Sequence, residues 1–96
     1  MRVDKTDGHL SVQLDQDLNW FTARRIRHLA EDCHLLQLDL RHARLVDSEG
    51  LILLFDCFRA GKTVRLYNPP DIMFEVANLL GIDEIMPLDT MINPEE

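Results

Sequence analysis

Leu45-Val46-Asp47-Ser48-Glu49-Gly50-Leu51-Ile52-Leu53-Leu54-Phe55 runs from a short extended apolar piece directly into a helix. Asp, Ser and Gly favour helix starts, and the apolar stretch behind them has helical length and spacing. The helix predicted from about Ser48 to Ala60 is apolar nearly all round, interrupted only by Asp56 and Arg59. Such a helix is covered on more than one side, by a sheet and by a neighbouring helix or a partner. Its first turn sets one hydroxyl, Ser48, between two carboxylates, Asp47 and Glu49. A hydroxyl there is partly exposed and lies beside unpaired backbone N–H groups that receive anions, a suitable place for a kinase to add phosphate.

Outward from this stretch, strand and helix signals alternate. Upstream, Leu35-Leu36-Gln37-Leu38-Asp39-Leu40 is apolar and centrally placed, an interior strand, with residues 41–44 as a polar connection. Before it, Asn19 is a good N-cap, and Trp20, Ala23, Ile26, Ala30 and Cys33 recur at helical spacing with Leu29 widening the face. His9 to Leu14 alternates as a half-buried strand, and residues 1–8 are polar, ending in the turn signal Asp7-Gly8. Downstream, Gly61 ends the central helix, Thr63 to Tyr67 alternates as a strand, and Asn68-Pro69-Pro70 stops it. A third helix, about Asp71 to Leu80, is expected to face Ile72, Val76, Leu79 and Leu80 inward and to leave Met73 and Phe74 as partner contacts. Ile82 to Leu88 reads as a short edge strand, and Asn93 to Glu96 as a frayed tail. The class is therefore α/β: a small central mixed sheet with helices packed on it, joined by right-handed crossovers where strands run parallel. Residues 1–96 make one domain with a core of about 9–90 and short disordered ends.

Ninety-six residues bury a single core, with little left for a deep cleft. The net charge of −7 argues against nucleic acid or an anionic membrane as the main partner. Cys33 and Cys57 both fall on apolar helix faces and read as buried free thiols of a reducing cytoplasm. No apolar run approaches the ~18 residues that span a bilayer, and the N-terminus lacks the apolar middle of a signal peptide. The expected location is the cytoplasm.

Other motifs carry less. Gly61-Lys62-Thr63 imitates the end of a P-loop, but Asp56 stands where the earlier glycine belongs, and the tripeptide leads into a strand. Cys33, His34 and His42 match no zinc spacing. Ser48 lacks the G-x-S-x-G elbow of a hydrolase, although a small serine hydrolase stays as a minor alternative. No enzyme activity, cofactor or metal is expected. Arg24, Arg25 and Arg27 form a small basic patch on a solvated helix face.

Leu38-Asp39-Leu40, Val46-Asp47-Ser48-Glu49-Gly50-Leu51, Val64-Arg65-Leu66 and Leu79-Leu80-Gly81-Ile82-Asp83 together resemble the STAS domain family. That family is named for sulfate transporters and anti-sigma factor antagonists, and the resemblance covers roughly residues 9–90 in order and spacing. It implies a small central sheet with helices packed on it, in agreement with the reading from the residues. In the stand-alone bacterial type, it further implies that Ser48 is phosphorylated by an anti-sigma factor with GHKL-type serine kinase activity. The unphosphorylated domain would bind that kinase and free a sigma factor; phosphorylation would release it, and a serine phosphatase would reset it. The contact surface would centre on Asp47, Ser48, Glu49, Gly50 and Ile52, with Met73 and Phe74. Two departures stand out: Glu49 occupies a position often held by Ser or Thr, and the short N-terminal portion lacks the edge strand of longer members. A different reading of the same resemblance is a small subunit bound to the ATPase of a lipid-transport ABC complex. An exposed strand edge could also support a weak homodimer.

Phosphate on Ser48 would add about −1.5 to −2 charge. The helix start would stabilise it by about 0.3–1 kcal/mol, while Asp47 and Glu49 would oppose it. The modification would thus act at an interface, by repelling a partner.

Overall fold

A computed structural model describes residues 1–93. Four strands form one mixed sheet in chain order: β1 (Arg2–Thr6), β2 (His9–Gln13), β3 (Leu35–Asp39) and β4 (Thr63–Tyr67). β1 is antiparallel to β2, whereas β2, β3 and β4 run parallel. Parallel neighbours need a crossover, and α1 (Trp20–Ala30) and α2 (Ser48–Arg59) supply the two. Both crossovers step across the sheet in the same direction, so connections of one hand place both helices on one face, where they pack on each other. α3 (Asp71–Leu80) packs beside α2, and a 3₁₀ turn (Ile82–Glu84) and α4 (Leu88–Met91) complete the chain.

The core lies between sheet and helices. Leu10, Val12, Leu36, Leu38, Val64 and Leu66 alternate toward it from the strands and meet Ile26, Leu51, Leu54 and Met73. The alternate positions make a polar outer face, on which the Tyr67 hydroxyl accepts from Gln37 Nε2 (3.2 Å) and Asn93 Nδ2 (2.9 Å).

The structure corrects the expected fold at four places. Residues 2–6 form an edge strand, not a disordered end. Asp7 (φ 51°) and Gly8 (φ 80°) form a two-residue turn of the kind that closes hairpins, fixing the register Thr6↔His9. β1 hides from apolar patterning because every residue in it is exposed, and polar residues suit an edge. The expected strand at Ile82 to Leu88 is instead the 3₁₀ turn followed by α4. Ile82, Met86 and Leu88 are buried, but Glu84, which a strand would turn to the same side, is exposed, and Pro87 has no N–H to donate. Sheet pairing comes later, where Ile92 bridges Leu66 and Asn93 N donates to Leu66 O at 2.9 Å.

α3 faces the core with Met73 and Ala77, while Leu79 and Leu80 are exposed. Asp71, Glu75 and Asn78, at i, i+4 and i+7, form one polar stripe with Met73 and Ala77 opposite it, whereas Leu79 and Leu80 fall in the last turn, beyond the buried pair. Met73 is fully buried and is not a surface contact. Trp20, expected on the inner stripe of α1, points outward, because it occupies the helix's first position, at the open end beside Asp47. The inner face of α1 starts with Thr22 and Ala23 instead. Burial of Thr22 is offset by bonds from its hydroxyl to Asp17 O (2.8 Å) and from Asn19 N to the hydroxyl (3.0 Å).

Candidate functional site: the first turn of α2

Two loops at the C-terminal ends of β2 and β3 are joined by backbone bonds. Leu18 N donates to Leu45 O and Asp47 N to Leu18 O, both at 3.1 Å, making a parallel bridge between Leu18 and Val46. Asp17 Oδ1 accepts from Arg44 N (2.9 Å) and Leu45 N (3.0 Å), which holds the second loop against the first.

On this frame Asp47 caps α2. Its backbone is extended, and Oδ1 accepts from Gly50 N at 2.9 Å, satisfying one of the unpaired donors of the first turn. The second oxygen, Oδ2, accepts from Trp20 N at 3.1 Å, at the start of α1. One carboxylate therefore joins the starts of both crossover helices. Gly50 is buried against Leu18: a Cβ there would lie 2.7 Å from Leu18 Cγ and 2.9 Å from Leu18 O. Its part is close packing of α2 on the loop rather than contact with a partner.

Ser48 follows the cap and is exposed, and its hydroxyl makes no hydrogen bond among the described residues. Asp47, not Ser48, caps the helix. Glu49 is exposed beside it and shares a shallow hollow of about 200 Å³ with Trp20, Ala23, Arg24 and Arg27. Arg27 is held by Asp56 of α2 at 2.7 Å, tying the flank of the α1–α2 seam.

Exposed apolar side chains lie on the segments that meet at this helix start. Trp20 (56% exposed) and Phe21 (60%) stand edge to face, with ring centroids 5.9 Å apart. Leu45 lies outside on the preceding loop, and Ile52, one turn beyond Ser48, is 37% exposed. Isolated exposed apolar residues are ordinary, but an aromatic pair and two aliphatic side chains around one helix start form a patch of the kind partners cover. The sequence pointed to Ser48, Asp47, Glu49 and Ile52 but not to Trp20, Phe21 or Leu45. The available signals were the adjacent aromatics after the Asn19 cap, which a helix cannot bury together, and the alternation that turns Leu45 away from the buried Val46. Phe74 lies half-buried on α3, outside this first turn.

Other candidate groups are placed apart. Lys62 donates to the carbonyls of Ala30 and Cys33, closing the end of α1, and its P-loop-like neighbours form a turn with Gly61 at φ 83°. His34 meets His9 edge to face, with ring centroids 4.9 Å apart, whereas His42 lies past the far end of β3 with Arg41 and Arg44. No group of three His, Cys, Asp or Glu able to hold a metal occurs among the described residues. Both cysteines are free and buried; burial pushes the Cys57 thiol above its ordinary pKa. No helix among the described residues is long and apolar enough to cross a membrane. No protein-family model and no curated protein matches the chain.

Proposed function

We propose that the protein is a non-enzymatic binding module of the STAS, anti-sigma factor antagonist type, switched by phosphorylation of Ser48. The observation that supports this best is an exposed hydroxyl, free of any structural bond among the described residues, beside an apolar patch. A partner that covers Trp20, Leu45 and Ile52 would also cover Ser48, which lies between Leu45 and Ile52 in the chain and beside the Asp47 cap bonded to Trp20 N. Unmodified, the hydroxyl is small and neutral, and a kinase that binds the patch has its substrate oxygen within the interface. After transfer, the dianion stands beside Asp47 and Glu49 and would have to be desolvated to keep the complex, at a cost of several kcal/mol. Because ~1.4 kcal/mol is tenfold in affinity, release follows. The proposed partners are an anti-sigma factor with GHKL-type serine kinase activity and a serine phosphatase.

Glu49 favours a second reading. Its carboxylate repels an incoming ATP-bound kinase, which suits a constitutive subunit held by the ATPase of a lipid-transport ABC complex.

Capture from native lysate with wild-type protein and Ser48→Asp separates the two. Recovery of a serine kinase by wild type but not by Ser48→Asp, with one phosphate gained in intact mass on incubation with ATP, supports the switch. Recovery of a transporter ATPase without mass change supports the second reading. Equal binding of one partner by Ser48→Ala and Ser48→Asp would sink the switch.

A further inference from the structure

The charge of this chain is divided along its length. Of its 17 acids, ten lie in residues 1–65, where they match the ten Lys and Arg of the whole sequence. Residues 66–96 hold the other seven acids and no Lys, Arg or His, so the net charge of −7 belongs entirely to this last third. Its described part is α3, the 3₁₀ turn and α4.

The same segment carries the most exposed large apolar side chain, Leu79, at 83%. Leu80 (48%) and Ile85 (58%) lie at the same end of α3, which packs on the 3₁₀ turn and is pinned to it by Asn78 Nδ2 donating to Asp83 Oδ2 at 3.2 Å. Within the same elements, Glu75 and Glu84 are exposed, and neither makes an ion pair among the described residues. Residues 71–85 thus expose apolar side chains together with the carboxylates of Glu75 and Glu84, and carry no Lys, Arg or His.

We propose that this end of α3 is a second docking surface, whose occupant is a basic amphipathic segment of another protein: apolar side chains over Leu79, Leu80 and Ile85, flanked by Lys or Arg against these carboxylates. Charge complementarity selects that occupant. A second copy of the chain would bring two sets of carboxylates together, and an anionic membrane or nucleic acid meets the same repulsion. The surface uses none of the residues around Ser48, so it stands whether or not that hydroxyl is phosphorylated.

The test is a fluorescence-anisotropy titration with two synthetic helical peptides. Both carry Leu along one face; one is flanked by Lys and the other by Glu. The Lys peptide is expected to bind at least about tenfold more tightly than the Glu peptide, and to weaken as salt rises from about 0.05 to about 0.5 M. Leu79→Ser/Ile85→Ser and Glu75→Gln/Glu84→Gln should each lose affinity at least about fivefold, and Gln13→Ala on the outer sheet face should not. All these positions are exposed, and circular dichroism with thermal melting checks that the fold is kept. No binding of the Lys peptide, equal binding of both peptides, or undiminished binding by Leu79→Ser/Ile85→Ser would overturn the proposal. So would a wild-type dimer that the same double substitution disperses.

Discussion

Asp47 and Ser48 divide between them what one helix-start residue often does alone. Asp47 supplies both acceptors, one to Gly50 N of its own helix and one to Trp20 N of the neighbouring helix. Ser48 is left with an uncommitted hydroxyl, so the two substitutions should separate cleanly. Asp47→Ala is expected to cost about 1–2 kcal/mol, and thermal melting should fall by roughly 4–8 °C for each kcal/mol. Ser48→Ala should stay within about 0.5 kcal/mol of wild type, since it breaks no bond. Gly50→Ala belongs with the first: its Cβ would press on Leu18 Cγ at 2.7 Å, and overpacking of this kind costs about 1–3 kcal/mol. A melt in which Ser48→Ala is as damaging as Asp47→Ala would contradict this division. At this scale the sequence revealed the cap and the hydroxyl, because capping is local chemistry written in adjacent residues. Trp20, Phe21 and Leu45 went unread as a surface, because helical spacing put Trp20 on the inner stripe although a first-turn position lies at the helix's open end.

Among the elements, β1 is held on one side only and is clipped at two points by exposed ion pairs. Lys5 Nζ meets Asp32 Oδ1 at 2.6 Å, and the Met1 amine meets Asp15 Oδ2 at 2.9 Å. The hydrogen bond from Lys5 holds the Asp32 carboxyl below its ordinary 3.8, and that from the amine does the same for Asp15. A depressed carboxylate pKa contributes stability above the unfolded value and loses it as pH falls through the folded one. The Asp32 bond likewise raises Lys5 above 10.5, so its clip holds until pH climbs past that raised value. Hydrogen-exchange protection of β1 should therefore drop relative to β3 between about pH 5 and about pH 2, and Asp32→Asn should reduce the contrast. Equal acid sensitivity of the two strands would count against the clips.

β2, β3, β4, α1 and α2 were legible in the sequence because alternation, helical spacing and caps agreed with one another. The misread elements are those where such signals fall silent or mislead. β1 has no apolar face, apolar Leu79 and Leu80 in the last turn of α3 carry no sign of their exposure, and Ile82 to Leu88 keeps the parity of a strand although Glu84 on that side is exposed.

For the molecule as a whole, one core couples everything. Cys33 on the α1 side and Cys57 on α2 both belong to it. With the Cys57 thiol also pushed up by burial, neither should react with iodoacetamide in the native state except through opening. Labelling at both sites should follow the global unfolding rate, and added urea should accelerate them in parallel. Faster reaction at one cysteine alone would reveal local opening there. The carboxylate of Asp47 has a further consequence at this scale. Since it fastens the starts of α1 and α2 to each other, Trp20 and Ser48 are held in one fixed arrangement while both bonds last. The ordering entropy of that surface is settled when the chain folds, before any encounter. In the complex proposed above, the adjustment that recognition demands would then fall on the partner's side.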